Sequence, residues 1–150
     1  MSVNGNNKIE RIDPETLSSL EQFTLPQILL RQSERLGSER IALREKAYGI
    51  WQTYHWKDYF RYTKLIGMGL ISLGLKRGEN VGLILDNDPE WLFAELGAQS
   101  VGGVALPLFT SAVAKELVGG LNRAEAAYVF AQDQEQVDKI LQINPELLLL

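Results

Sequence analysis

Residues 81–109 read VGLILDNDPEWLFAELGAQSVGGVALPLF. The apolar run at 81–85 predicts a buried strand, residues 89–101 have helical spacing, and residues 104–109 form a second apolar run. Pro89 suits the first turn of a helix, and Asp88 before it suits the N-cap. The stretch is therefore a strand, a helix and a second strand, the unit from which parallel sheets are built.

The same alternation continues to residue 143. Residues 113–121 predict a second helix, residues 128–131 a third strand and residues 134–143 a third helix. The strands begin 23 and 24 residues apart, at 81, 104 and 128, which is about what a strand, a crossover helix and two loops occupy. We expect an α/β fold in which a βαβ-type parallel sheet has helices on both faces.

Three further elements are predicted before this sheet. Thr24 is a suitable N-cap and Gly37 a suitable terminator for a first helix. Residues 56–73 carry apolar side chains at three- and four-residue spacing, the pattern of an amphipathic helix. Gly67 and Gly69 lie inside that pattern, so they predict close approach of another element rather than a dinucleotide-binding turn. The predicted elements are a helix from Thr24 to Leu36, an edge hairpin over 41–45 and 50–54, and the helix over 56–73, which Gly74 ends.

The two ends of the chain have a different character. Residues 1–23 are rich in polar side chains without a period and predict a flexible leader, whereas residues 24–150 predict one domain. Leu147 to Leu150 predict either the opening of a fourth strand or a turn of a terminal helix. A final unpaired apolar strand is an aggregation hazard, so we interpret the chain as truncated.

Composition excludes several classes of function. The chain of 150 residues has a formal net charge of -4 and no cysteine. Nucleic-acid binding is disfavoured because it requires clustered Lys and Arg, and disulfide or thiolate chemistry is excluded. No apolar run reaches the ~20 residues of a spanning helix. We expect a cytoplasmic protein without a transmembrane segment, and peripheral contact with a membrane stays open.

Several polar residues invite a catalytic interpretation. Asp86, Asp88 and Glu90 alternate as in a calcium loop, but Trp91 stands where such a loop needs glycine, so a helix start is the better interpretation. His55 is the only histidine, and a metal site or catalytic relay would depend on it alone. Its place before the helix at 56–73 predicts a helix-start residue.

Aromatic side chains cluster in the sequence between residues 51 and 60. They could stack nucleic-acid bases or pack in a core. Because no Arg or Lys is expected on the same face, packing is predicted. The cluster comprises Trp51, Tyr54, Trp56, Tyr59 and Phe60.

The loop at 106–111 follows the second strand, at the sheet edge where parallel sheets place ligands. Thr110 and Ser111 could also cap the helix that begins near Val113. Both roles are compatible, so this loop is the predicted ligand contact.

Six short blocks occur in one order across residues 24–143. They are IALR at 41–44, YHWKDY at 54–59, LGLKRGENV at 73–81, DNDPEW at 86–91, GGVALP at 102–107 and AQDQEQ at 131–136. Together they resemble the opening of the long-chain fatty acid–CoA ligases, which are adenylate-forming AMP-binding enzymes.

The resemblance implies an incomplete portion of a large amino-terminal domain. Such ligases join a fatty acid to AMP from ATP with Mg²⁺, and then transfer the acyl group to CoA. Their phosphate-binding Thr/Ser/Gly-rich loop, adenine-binding segment, ribose-binding Asp and carboxyl-domain Lys do not occur in residues 1–150. The resemblance thus implies an inactive fragment whose partners are the fatty acid, CoA and the remainder of the ligase polypeptide. The alternative is a stand-alone, non-catalytic binding or interaction module.

The resemblance also implies a site. The family's loop that matches residues 108–111 lies near the CoA nucleotide, so Phe109, Thr110 and Ser111 are candidate CoA contacts; no catalytic or metal-ligating residue is implied. Two departures are visible. Phe109-Thr110 stands where Tyr followed by Pro or a polar residue is usual, and His55 replaces a Thr cap, at a cost of about 1 kcal/mol if His does not substitute for the hydroxyl.

Overall fold

The computed structural model describes Ser18 and residues 21–142. The rest of the predicted leader and the four leucines at 147–150 lie outside these residues. The elements are, in chain order, α1 (Leu25–Leu36), β1 (Ile41–Ala47), β2 (Ile50–His55), α2 (Trp56–Ser72), β3 (Asn80–Ile84), α3 (Pro89–Ser100), β4 (Val104–Pro107), α4 (Ala114–Arg123), β5 (Ala126–Ala131) and α5 (Gln134–Leu141).

Three of the strands form the predicted parallel sheet. The strand order is β4-β3-β5, so the first of the three strands in the chain lies at the centre. Val81 of β3 lies opposite Ala105 on one side and Tyr128 on the other. β5 begins two residues before the predicted start, and β4 ends at Pro107 rather than Phe109 because the chain turns there, with the Ala112 N–H donating to the Phe109 carbonyl.

Helices cover both faces of this sheet, as predicted. Side chains of β3 alternate between the two faces, and Val81, Leu83 and Ile84 are 0 % exposed. One face packs on α2 and α3, whereas the other packs on α4 and α5. The first cluster includes Leu70, Leu75, Val81, Leu83, Ala94, Ala98 and Tyr128, and the second Ile84, Leu117, Leu121, Val129 and Ile140.

Two glycines allow α2 and α3 to approach closely. A Cβ atom on Gly67 would lie 2.7 Å from Ser100 Oγ, and one on Gly97 would lie 2.6 Å from Ile66 Cγ2. The prediction of close approach is therefore confirmed for Gly67. It is wrong for Gly69, where an added Cβ would meet nothing within 4 Å because that side of α2 is open.

The predicted hairpin forms a separate antiparallel pair. Ala47 lies opposite Ile50, which leaves only Tyr48 and Gly49 in the turn. Their φ angles, 51° and 79°, are both positive, as in the type I′ turns that suit the twist of a hairpin. β1 therefore runs two residues further toward the turn than the sequence predicts, whereas β2 begins at Ile50 as predicted and ends one residue later, at His55.

The helices α1 and α2 begin in the same way. The Thr24 N–H donates to Gln27 Oε1 at 2.9 Å, and the His55 N–H donates to Asp58 Oδ2 at 3.0 Å. In each case the third helical residue reaches back to the N-cap, as in a capping box. His55 is thus a helix-start residue, and Asp58 satisfies its backbone donor.

Candidate functional site

A groove lies at the edge of the sheet where the parallel strands end. It encloses about 480 Å³ and is formed by the turn after β3 together with the loop after β4. Phe109 projects from this loop with 83 % of its surface exposed. The lining residues are Leu85, Asp86, Asn87, Trp91, Pro107, Leu108, Phe109 and Thr110.

Hydrogen bonds hold the loop after β4 from two sides. The Thr110 hydroxyl donates to Asp86 Oδ1 at 2.8 Å, which ties the loop to the end of β3. Lys139 Nζ, from α5, donates to the Thr110 carbonyl oxygen at 3.0 Å and pairs with Glu135 at 2.7 Å. Thr110 is consequently fixed through both its side chain and its backbone.

Gln132, just after β5, bridges to the turn after β3. Its Oε1 accepts from the Asp86 N–H at 3.0 Å, and its Nε2 donates to Asp88 Oδ2 at 3.3 Å. The Gln132 N–H donates in turn to the Ile84 carbonyl at 2.8 Å. Side chains thus link the ends of all three strands, and these hydrogen bonds fix the base of the groove.

Two predicted helix caps are corrected by these contacts. Val113, not Thr110 or Ser111, is the N-cap of α4, because the Thr110 hydroxyl is engaged by Asp86. Asp88 occupies the N-cap position of α3, as predicted, and Pro89 follows it. Its carboxylate, however, accepts from Gln132 rather than from the helix backbone, so it joins strand ends instead of capping.

Lys139 and Gln132 were missed by sequence reasoning. Both are separated from Thr110 and Asp86 by more than twenty residues, and nothing in local spacing marks them. A partial signal exists, because Gln132 directly follows a strand whose carboxyl end meets the groove in a parallel sheet.

The aromatic residues between α2, α3 and the hairpin form a packed cluster, as predicted. Tyr59 and Phe93 have ring centroids 5.5 Å apart, and Tyr54 meets Phe93 at the same distance. Burial, with a smaller contribution from Glu95, raises the pKa of Tyr59 to about 12. Burial, together with Glu90 and Glu45, also raises the pKa of Tyr54. Trp51 is the exception, since it is 62 % exposed and lies outside the cluster.

In the part of the chain that the structure describes, no group of three or more His, Cys, Asp or Glu side chains is placed to hold a metal ion. Across residues 21–142, no helix has the length and apolar character needed to cross a membrane.

The fold is a parallel sheet with helices on both faces and a groove at its carboxyl edge. These features define the doubly wound α/β class, in which ligands bind at that edge. Residues 29–148 match the model of the AMP-binding enzyme family. The match covers most of the chain, and the chain therefore belongs to that family.

Similar proteins agree with this assignment. The chain is 29% identical to the long-chain-fatty-acid–CoA ligase ACSBG2 of Xenopus laevis, over 91% of this chain and 18% of that protein. It is 30% identical to an uncharacterised protein of Mycobacterium tuberculosis, over 59% of this chain and 50% of that protein. The crystal structure of the anthranilate CoA ligase AuaEII with anthranoyl-AMP superposes with a TM-score of 0.72 and 23% identity, over 83% of this chain and 23% of that one. The chain spans about a fifth of the length of the fatty acid–CoA ligases that it matches.

Proposed function

We propose that the chain is the amino-terminal portion of an ATP-dependent long-chain fatty acid–CoA ligase, with residues 24–150 as part of its AMP-binding domain. In this proposal the whole enzyme forms an acyl-AMP and transfers the acyl group to CoA. The observation that carries the proposal is the match of residues 29–148 to the AMP-binding enzyme family. The candidate site of this portion is the loop at the carboxyl edge of the sheet, where Phe109 is exposed. The similarity to fatty acid–CoA ligases supports the proposal.

The groove fits the base of CoA better than its phosphates. An exposed aromatic ring such as Phe109 offers a stacking surface for adenine. The Thr110 hydroxyl donates to Asp86, so its oxygen is left to accept a hydrogen bond, and the Ser111 hydroxyl lies beside it in the chain. Lys139 is the cation in the hydrogen-bond network of this loop, and it pairs with Glu135 and donates to the Thr110 carbonyl oxygen. CoA would supply the thiol that receives the acyl group, and the residues of the loop would hold its nucleotide.

The experiment that tests this site measures CoA binding to the 150-residue chain by saturation-transfer NMR. We expect transfer to the adenine protons, and we expect Phe109→Ala to weaken binding by about 1 kcal/mol or more because a stacking surface is lost. The matched control is Val113→Ala, a change at a nearby exposed apolar residue, which leaves binding intact. Equal binding by the Phe109 variant would remove this loop from the CoA site.

We further propose that these 150 residues do not activate fatty acids by themselves. Transfer of AMP from ATP requires donors that cradle the phosphates and a cation that spreads their charge. The family segments that supply those groups are not part of the sequence. ATP–pyrophosphate exchange with a long-chain fatty acid should equal a boiled control, and exchange above that control would contradict the proposal.

A second candidate is a stand-alone, non-catalytic binding or interaction module. One comparison favours it, because the matched segment makes up half of the similar Mycobacterium tuberculosis protein rather than a fifth. The size of the native protein distinguishes the two candidates. An antibody against residues 24–143 would detect a band several times larger than 16.8 kDa for a ligase and a band near that mass for a module.

A further inference from the structure

The β1–β2 hairpin has an outer face with a distinct composition. Residues directly opposite in an antiparallel pair share a face. Lys46 lies opposite Trp51, and Arg44 lies opposite Thr53. All four are exposed, whereas Leu43 and its partner Tyr54 point to the aromatic cluster. We define the outer face as Arg44, Lys46, Trp51 and Thr53.

The turn of the hairpin extends beyond the core. Ile50 lies on the same face of β2 as Tyr54, which packs in the core, yet Ile50 is 64 % exposed. Tyr48 is fully exposed. Tyr48 also has a φ of 51°, in a turn position that favours Asn, Asp or Gly. An aromatic residue thus lies at the tip with a backbone conformation that residues other than glycine rarely adopt. Together with Trp51, these residues form an exposed apolar tip.

The charges on the outer face are of one sign. Lys46 lies directly opposite Trp51, Arg44 lies opposite Thr53 on the same face, and both are cations. The carboxylate of the hairpin, Glu45, lies on the inner side, where the Tyr54 hydroxyl approaches it at 3.5 Å. In a chain with a formal net charge of -4, this face is locally positive. It is complementary to an anionic surface.

We propose that the tip and outer face of the hairpin dock on an anionic lipid bilayer. Tyr and Trp prefer the boundary between headgroups and acyl chains, where one end of the side chain is apolar and the other is hydrated. Lys and Arg beside them are attracted by anionic headgroups. This arrangement is that of a peripheral interfacial contact, in which nothing crosses the bilayer.

A lipid surface suits this face better than a protein surface does. The centre of a protein interface is depleted in lysine, since a buried ammonium group loses its hydration. Lys46 lies directly across from Trp51, so a protein that covered the tryptophan would also desolvate the lysine. At a bilayer the lysine stem extends along apolar surface while its charge reaches the phosphates. The proposal uses none of the groove residues and is independent of the proposed CoA site.

The test measures co-sedimentation of the 150-residue chain with vesicles. We expect binding to vesicles of phosphatidylcholine mixed with phosphatidylserine, and binding several-fold weaker to phosphatidylcholine alone. Raising the salt concentration should weaken binding, because screening reduces the attraction of exposed charges. The tryptophan emission should shift to shorter wavelength in the presence of the anionic vesicles. Equal affinity for both kinds of vesicle, or no binding to either, would overturn the proposal.

Two double variants locate the contact. Arg44→Glu with Lys46→Glu should lower the partition coefficient at least about tenfold, since each cation near an anionic surface accounts for about a fivefold effect. Tyr48→Ser with Trp51→Ser should abolish the spectral shift. The matched control, Leu65→Ser with Met68→Ser, changes two apolar residues of α2 that are about as exposed as Trp51 and leaves binding unchanged.

Two further outcomes would sink the proposal. The control variant could lose binding as strongly as the hairpin variants, which would make the contact non-specific. Alternatively, sedimentation equilibrium could show that the chain is a dimer which Trp51→Ser dissociates, and the face would then pair with a second copy. Urea midpoints equal to that of the unaltered chain confirm that each variant is folded, as expected for exposed positions.

Discussion

The parallel sheet and the hairpin use strands in opposite ways. In β3 both faces are covered, and Val81, Leu83 and Ile84 are 0 % exposed. In β2 only one face meets the core, and Ile50 and Trp51 are more than half exposed. Burial on both faces makes the central strand a source of stability, about 1.5–3 kcal/mol for each buried aliphatic side chain. The hairpin contributes less to stability, and its exposed side chains are available for surface contacts.

The largest expected effect is the difference in stability between two truncations, one of an aliphatic residue in the sheet and one of an aliphatic residue in the hairpin. Leu83→Ala should lower the free energy of unfolding by about 2–5 kcal/mol, because it removes a fully buried side chain and leaves a cavity. Ile50→Ala should change it by less than about 0.5 kcal/mol. Urea denaturation followed by circular dichroism measures both. Similar losses for the two variants would show that the hairpin and the sheet are equally important for stability.

The second effect is a difference between two glycines in the helix pair α2 and α3, one tightly packed and one facing open space. Gly97→Ala should destabilise the protein by about 1–3 kcal/mol, since its Cβ would lie 2.9 Å from Ile66 Cβ and 3.2 Å from the Thr63 carbonyl oxygen. Gly69→Ala faces open space and should stabilise the protein by about 0.5–1 kcal/mol through helix propensity. The difference between their urea midpoints is the measurement. If both variants were more stable than the unaltered chain, there would be space for a Cβ atom at Gly97 between α2 and α3, which contradicts the structure.

The smallest effect concerns Tyr59, where the hairpin meets α2 and α3. Its pKa of about 12 in the folded chain lies above the ordinary tyrosine value of 10.0, so above pH 10 the unfolded chain loses a proton that the folded chain retains. The stabilising contribution is therefore complete below pH 10 and declines as the pH rises toward 12. At pH 11 the loss is about 1 kcal/mol.

The control for this pH effect is Tyr59→Phe. It keeps the ring in contact with Phe93 and removes the ionisable group. Urea midpoints measured from pH 8 to 11.5 should fall less steeply for the variant than for the unaltered chain. Identical slopes would assign the alkaline loss of stability to other tyrosines.

The sequence predicts the order and type of the elements well. Buried strands such as residues 81–85 are continuous apolar runs, and the intervals between them have the length of crossover units, so local pattern and topology agree. The boundaries of β4 and β5 were displaced by two residues, because strand ends depend on pairing with β3 and on where the chain turns. The order of the strands across the sheet, with β3 at the centre, did not follow from the pattern.

The predictions that failed depend on contacts between distant residues or on the alternation of a strand. Thr110 has the chemistry of a cap, but a carboxylate 24 residues earlier binds its hydroxyl, which local reasoning did not anticipate. Trp51 belongs to an aromatic run in the sequence, yet the alternation of a strand turns it away from Tyr54. The cations beside Trp51 were also missed, since Lys46 approaches it only through the register of the hairpin. The position of the loop at 106–111, beside the carboxyl edge of the sheet, was predicted correctly because it follows from topology alone, and its contact with a ligand stays a prediction.

The central place of β3 also sets an order of events during synthesis. β3 leaves the ribosome before either strand that pairs with it, so the sheet is completed outward from a strand that is already present. The contact between Asp86 and Thr110 closes a loop of 24 residues, and that between Asp86 and Gln132 closes one of 46. The entropy cost of closure grows only slowly with loop length, so the second partner is little harder to bring in than the first. β4 and β5 thus each emerge when β3 is already present to pair with them.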